Sequence, residues 1–327
     1  MANTSMKLGV IGAGNWGKNL VRNFSQLGVL SAICDSKEEN LARAQQQQPI
    51  ERIFTDYQKI LQDPDINAVA IATPASTHYE ITKEALLTGK DVFVEKPLAL
   101  NVAEAQELIV LANAHQRILM IDHLLQYHPA VLKLKELIDA GTLGKLQYIY
   151  SNRLNIGKLR NEENILWSFA PHDISVILKL VEKEPQKVRV FGEAYLQDTI
   201  YDTTITDLSF ENKIKAHIYV SWLHPFKEQK LVVIGDASMA VFDDLEPENK
   251  LVLYPHKVKW IKQVPVAAKA EKEIIPIEKK EPLREACTHF LECVQHRTTP
   301  RTDGEEALAV LRVLNQAQEY LDREGSS

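Results

Sequence analysis

From Lys7 to about Asp122 short apolar runs alternate with amphipathic segments. Lys7–Ile11, Leu30–Cys34, Ala68–Thr73, Asp91–Glu95 and Ile118–Asp122 are short, apolar and rich in β-branched residues, and the pattern predicts strands there. Between them, apolar positions at helical spacing predict helices over Asn15–Leu27, Lys37–Gln47, Asp56–Gln62, Tyr79–Thr88 and Val102–His115. A β-then-α succession implies a parallel sheet with helices on both faces, joined by right-handed crossovers. Beyond Asp122 the pattern changes. A helix over Pro129–Ala140, a strand over Leu146–Arg153 and a helix over His172–Val181 are followed by strands in succession: Lys187–Tyr195, Thr204–Phe210, Lys213–Trp222, Gln229–Gly235 and Met239–Asp243. Their alternation suits an antiparallel sheet with one covered face, and Glu211-Asn212 suits a hairpin turn. Helices over Leu283–Gln295 and Gly304–Arg323 close the chain. The expected architecture is an α/β domain over residues 1–122 and an α+β domain over residues 123–327.

Composition narrows the function classes. The 327 residues carry a net charge of −6 with 45% hydrophobic positions, enough apolar surface to offset the entropy of folding. An acidic chain repels a phosphate backbone, so no nucleic-acid partner is expected. Cys34, Cys287 and Cys293 are too few for a disulfide framework and lack zinc-ligand spacing; buried thiols are the expectation, and no metal site. The leader Met1–Met6 is short and polar, and no run approaches the roughly 18 apolar residues of a membrane helix, so a cytoplasmic protein without a membrane partner is expected.

The strongest local motif is Gly12-Ala13-Gly14-Asn15-Trp16-Gly17, set between an apolar strand and a helical segment. In that context the first glycine makes a tight turn, the second admits a pyrophosphate to the backbone, and the third packs helix on strand. Free N–H groups and the helix dipole would hold the phosphates. Asp35 ends the second strand, where a carboxylate accepts hydrogen bonds from ribose hydroxyls and repels a 2′-phosphate, favouring NAD over NADP. This makes the first domain a Rossmann domain, with Gly12, Gly14, Asn15, Trp16 and Asp35 at the cofactor. Two later strand ends, Thr73-Pro74-Ala75-Ser76-Thr77-His78 and Glu95-Lys96-Pro97, should face the same ligand, since ligands of open α/β sheets bind beyond the carboxyl ends of strands. By position alone, Lys96 is either a solvated charge or a functional group near the nicotinamide.

The combination of Gly12-Ala13-Gly14, Thr73–His78, Glu95-Lys96-Pro97 and His172 within Phe169-Ala170-Pro171-His172-Asp173-Ile174 resembles the Gfo/Idh/MocA oxidoreductase family. The resemblance implies Lys96 beside nicotinamide and substrate, a cis Lys96–Pro97 bond, and Thr73, Pro74, His78, Glu95 and Lys96 at the cofactor. A narrower resemblance, to the UDP-N-acetylglucosamine and UDP-N-acetylglucosaminuronate 3-dehydrogenases, rests on Asp122–Pro129, Asn152–Arg160 and Asn164–Asp173. It implies a UDP-sugar substrate held by Gln126, Arg153, Asn155, Lys158, Arg160, Asn164 and Trp167. Asn152–Arg160 holds three cations and no anion, a donor set suited to a diphosphate, or alternatively a solvated basic edge. The sequence departs from the wider family in two ways. Ser168 and Ser175 stand where many members carry aspartates, and Gln126 replaces a common arginine. This weakens a polyol reading and leaves Lys96 and His172 as the titratable catalytic pair. His123 and His128 flank the expected cleft.

The expected reaction is NAD-dependent oxidation of a secondary hydroxyl, at C3 of a UDP-linked N-acetylhexosamine, of the kind that serves amino-sugar polysaccharide or lipid A synthesis. Histidine titrates near neutrality and suits the base; Lys96 would hydrogen-bond the same hydroxyl. The competing readings are an NADPH-dependent 3-ketoreductase of a nucleotide-linked deoxysugar, a polyol or inositol dehydrogenase, an NAD-recycling lyase or glycosidase, and a non-catalytic NAD sensor. The uncovered sheet face of the second domain points to a homo-oligomer, dimer or tetramer.

Overall fold

A computed structural model describes residues 6–50, 52–157 and 159–324. The chain divides into two compact units, one formed by residues 1–124 and 281–311, the other by 125–280 and 312–327.

In the first unit β1 (Leu8–Ile11), α1 (Gly17–Gln26), β2 (Leu30–Cys34), α2 (Glu38–Gln47), β3 (Arg52–Phe54), α3 (Gln58–Leu61), β4 (Ala68–Ile71), α4 (His78–Leu87), β5 (Asp91–Val94), α5 (Val102–Ala114) and β6 (Leu119–Ile121) follow in order. The six strands form one parallel sheet in the order β3-β2-β1-β4-β5-β6. The chain leaves β1 first toward β2 and later toward β4, so the switch in direction falls beside β1, the position at which open α/β sheets bind ligands. Strands β1, β4 and β5 are buried along their whole length, which is why they read as continuous apolar runs rather than alternating ones. β3 is only three residues, too short for periodicity to reveal, and the helix expected over Asp56–Gln62 is a single turn.

The second unit contains α6 (Pro129–Asp139), β7 (Leu146–Leu154), α7 (Ile165–Val181), β8 (Lys187–Glu193), β9 (Thr203–Ser209), β10 (Lys215–Ser221), β11 (Glu228–Gly235), β12 (Met239–Asp243), β13 (Leu251–Tyr254), β14 (Lys257–Ile261), β15 (Val264–Ala268) and β16 (Glu273–Ile275). Eight strands form a sheet ordered β16-β13-β12-β11-β7-β10-β9-β8, with β14 and β15 as a separate ribbon. All pairs in the large sheet are antiparallel except β7 with β10. α7 packs on β7, β9 and β10, and α6 on α7 and β12. The β9–β10 hairpin turns at Glu211–Lys213, where Asn212 and Lys213 adopt positive φ of 57° and 64°. The four strands after Asp243 escape the sequence pattern, being short or interrupted by lysines and a proline. α7 starts seven residues before His172 because Pro171, a signal for a helix boundary, lies inside it.

The final helices correct the expected domain limits. α8 (Pro282–His296) belongs to the first unit, not to a single domain running over 123–327, and α9 (Gly304–Glu324) passes into the second from Arg312. Phe290 of α8 packs edge-on against Phe24 of α1 and Phe93 of β5, and Arg22 ion-pairs with Glu281. The segment before α9 also closes the edge of the first sheet. Ile121 N–H donates to the Thr302 carbonyl at 2.8 Å, and the Thr302 hydroxyl donates to the Ile121 carbonyl at 2.6 Å. Cys34, Cys287 and Cys293 are buried free thiols; burial pushes Cys34 up to about 12.

Candidate active site

The glycine loop is shaped by close backbone approach. Gly12 has φ +94°, and a Cβ there would lie 2.5 Å from the Ala72 carbonyl oxygen. A Cβ at Gly17 would run into the Gly12 carbonyl, so this glycine lets α1 pack onto the strand end. At Gly14 the nearest heavy atom to a built Cβ is 4.0 Å away, leaving that side open. α1 begins at Gly17, past Asn15 and Trp16, and its first turn has neither a side-chain cap nor an acidic residue. Such a helix start offers N–H groups and the positive end of the dipole to an anion, so the cradle fits a dinucleotide pyrophosphate. Asp35 faces this loop: Oδ2 accepts the Ala13 N–H at 2.8 Å and Oδ1 the Lys37 N–H at 2.9 Å. Two backbone donors fix the carboxylate while leaving lone pairs for ribose hydroxyls.

The Thr73 and Glu95 loops are clasped together by His78. Its ring is buried, with Nδ1 2.7 Å from the Pro97 carbonyl oxygen and Nε2 2.9 Å from that of Thr73. Burial outweighs these hydrogen bonds and pushes its pKa down, so the neutral ring donates to one carbonyl at a time. His78 therefore holds together the two loops expected to face the cofactor. Thr73 is further held through its hydroxyl, 2.7 Å from that of Thr77, while Pro74 leads into a short turn of 3₁₀ helix over Ala75–Thr77. The Lys96–Pro97 bond is cis. Lys96 follows β5 at its carboxyl end, beside Glu95.

In the second unit His172 lies half-buried on α7. Its neighbour Asp173 points into the sheet, where its oxygens accept Arg153 Nε–H at 2.7 Å, Arg153 Nη2–H at 3.2 Å and the Ser151 hydroxyl at 2.6 Å. Arg153 and Asp173 side chains are 11% and 5% exposed, so this is a buried ion pair. With its amide oriented so that the oxygen faces Arg153, Gln229 extends the pair, accepting from Arg153 at 3.2 Å and donating to Asp244 at 3.3 Å. Asp244 also faces His128 at 3.4 Å; against the burial that opposes it, His128, Lys250 and Arg153 hold its carboxyl down at about 2.

Several residues expected at the substrate are engaged within the protein. Arg153 is engaged by Asp173 and is not a free cation for a diphosphate. Gln126 is buried and donates to the Ser175 hydroxyl at 2.8 Å. Asn164 caps α7 by accepting the Trp167 N–H at 3.2 Å, and both side chains donate to Gln318 Oε1, at 2.8 and 3.0 Å. These residues hold α7, and hence His172, in place. Asn155 and Arg160 lie on the loop after β7, Arg160 in an exposed pair with Glu163 at 3.0 Å. Lys158 lies outside the described residues. His123 pairs with Glu306 at 2.5 Å in the first unit, and His128 caps α6 by accepting the Ala130 N–H. Sequence reasoning missed Ser151, Asp244 and Gln229: register sets Gln229 opposite Arg153, and Ser151, on the same face of β7 as Arg153, meets the same Asp173.

Comparison with known proteins agrees with this architecture. Residues 6–123 match the model of the oxidoreductase family with an NAD-binding Rossmann fold, and residues 131–241 that of the GFO/IDH/MocA C-terminal domain. The chain is 26% identical over 307 residues to a UDP-N-acetylglucosamine 3-dehydrogenase of Acidithiobacillus ferrooxidans, covering 94% of each chain. It is 26% identical over 260 residues to a myo-inositol 2-dehydrogenase of Thermotoga maritima, covering 76% of this chain and 78% of the other. A solved structure of UDP-N-acetylglucosamine 3-dehydrogenase from A. ferrooxidans superimposes with a TM-score of 0.87 at 24% identity, over 98% of this chain and 99% of that one, and shows the shared fold. Matched in both halves, the chain belongs to the Gfo/Idh/MocA oxidoreductase family.

Proposed function

We propose that this oxidoreductase uses NAD to oxidise a secondary hydroxyl, C3, of a UDP-linked N-acetylhexosamine. The observation that carries the reading is the chemistry of α7. Ser168 and Ser175 flank His172, and Asp173, the carboxylate beside it, is engaged by Arg153. No carboxylate of α7 is then available as a partner base, which leaves the imidazole of His172 and the ammonium of Lys96 to serve the reacting hydroxyl. His172 accepts the hydroxyl proton, and Lys96 hydrogen-bonds the oxygen as its negative charge develops. The dinucleotide supplies the hydride acceptor when bound. The fixed carboxylate of Asp35, beside the glycine loop, supports NAD over NADP. Asn155, Arg160 and Lys158 are the residues we assign to the substrate diphosphate.

An inositol dehydrogenase is the second reading, supported by the likeness to the T. maritima enzyme. Following NADH formation with UDP-N-acetylglucosamine, its uronate, UDP-glucose and free inositols separates the two. Turnover with inositols and none with UDP-sugars overturns the first. We also propose self-association through the sheet face opposite α6 and α7. There Phe191, Ile205 and Tyr219 stand in one cross-strand row, with Phe191 59% and Ile205 44% exposed. Among the described residues no helix is long and apolar enough to cross a membrane.

A further inference from the structure

Glu95 and Asp122 are the first residues past two neighbouring strands, β5 and β6, whose register pairs Val94 with Ile121. The Asp122 N–H donates to the Val94 carbonyl at 2.8 Å, which sets the two carboxyl groups side by side. Asp122 is fully buried, and Glu95 Oε1 is sealed from solvent. Beyond each other and the Trp16 indole, no N–H or O–H among the described residues reaches Glu95 Oε1 or either Asp122 oxygen. The carboxyl groups face each other and the indole of Trp16, a residue of the glycine loop. The charged and titratable groups around them are Lys96, His123 with its partner Glu306, and the buried thiol of Cys287 from α8. Two carboxylates in contact, one of them fully buried and the other with Oε1 out of solvent, do not both ionise; they keep a proton between them. Burial, then the charge of Asp122, raises Glu95 well above the ordinary carboxyl range, and burial raises Asp122.

The place of the pair gives it a role. Asp35 marks the adenosine ribose on the β2 side of the glycine loop, so the nicotinamide end of a bound dinucleotide falls on the other side, over β4 and β5. Oxidised nicotinamide carries a positive ring charge; the reduced ring is neutral. We propose that Glu95 and Asp122 act as one proton-holding pair at the nicotinamide end, releasing its proton to solvent when the oxidised cofactor binds and keeping it beside the reduced one. No electrons move in this step. One O–H bond breaks, and the pair goes from one negative charge to two. The inference rests on the dinucleotide site and adds to it a coupling between pH and oxidation state.

The test is binding, read by quenching of tryptophan fluorescence and by calorimetry in buffers of different ionisation enthalpy. In the wild-type protein, NAD affinity rises with pH by up to about tenfold per unit, one linked proton, while NADH affinity is level. Calorimetry shows proton release with NAD only. In Asp122→Asn a single carboxyl remains without a partner carboxylate, and the NAD profile becomes level; NADH binding by this variant reports an intact site, and Glu95→Gln repeats the test from the other side. Equal pH slopes for NAD and NADH in the wild type, or a slope that survives in D122N and E95Q, overturns the proposal. Failure of both dinucleotides to bind the wild type would instead overturn the cofactor reading.

Discussion

Arg153 offers the sharpest separation between a binding residue and a structural one. Asp173→Ala removes the carboxylate that takes two guanidinium N–H groups at 2.7 and 3.2 Å, and leaves a cation whose side chain is only 11% exposed. Breaking a buried ion pair from one side costs about 3–5 kcal/mol, because the remaining charge keeps its desolvation penalty and loses its partner. Asp244 and Gln229 recover part of this, placing the loss toward the lower end. At roughly 2–4 °C per kcal/mol for a unit of this size, a loss of about 3 kcal/mol lowers melting of the second unit by roughly 6–12 °C. Arg153→Met with Asp173→Leu removes both charges and restores apolar packing, so it should regain most of the loss. Differential scanning calorimetry of wild type, R153M, D173L and the double closes the cycle, with D173A measured alongside. A change below about 1 kcal/mol in D173A, the range of an exposed pair, refutes the reasoning. So does additivity in the double variant. If Arg153 served the substrate diphosphate instead, R153M would raise KM while leaving melting unchanged.

The remaining predictions concern chemistry and pH. Lys96→Met and His172→Asn should each lower turnover by roughly 10²–10⁴ with folding intact by circular dichroism; near-normal turnover removes that residue from the mechanism. Asp35→Ala loses a charged acceptor for the ribose and two loop contacts, so NAD binding should weaken by about 10–100-fold while discrimination against NADP shrinks; unchanged cofactor preference in fluorescence titrations would count against Asp35. The depressed carboxyl of Asp244 contributes stability that is complete above the ordinary aspartate range near pH 4 and is lost as pH falls toward about 2. Acid titration of stability should therefore flatten between pH 4 and 2 in Asp244→Asn, and an unaltered profile excludes that carboxyl as the source.

Most of the first sheet was legible because burial on both faces writes itself as uninterrupted apolar runs, as in Ala68–Ile71 and Asp91–Val94. The glycine loop was legible for a different reason. Gly12 and Gly17 mark backbone approaches that a side chain forbids, and such positions appear in sequence as glycine. β3 was not legible because three half-exposed residues carry no period, and the strands after Asp243 are short or broken by lysines and a proline, with β14 and β15 exposed on both faces. Trp167 and Asn164, assigned to the substrate through the family resemblance, cap and anchor α7 through Gln318, contacts that local sequence does not announce.

By itself, the sequence determined the class of the fold and the glycine loop with its neighbouring carboxylate, because local periodicity and glycine geometry are written along the chain; Lys96 and His172 were singled out through the family resemblance. Only the tertiary structure decided which charges are free. Arg153 counted as a donor in the linear sequence, yet a neighbouring helix delivers Asp173 to it; Glu95 and Asp122, 27 residues apart, become one site because β5 and β6 run side by side. Charge is read residue by residue, but pairing and burial depend on which strands and helices meet, and those meetings are set by packing over the whole unit.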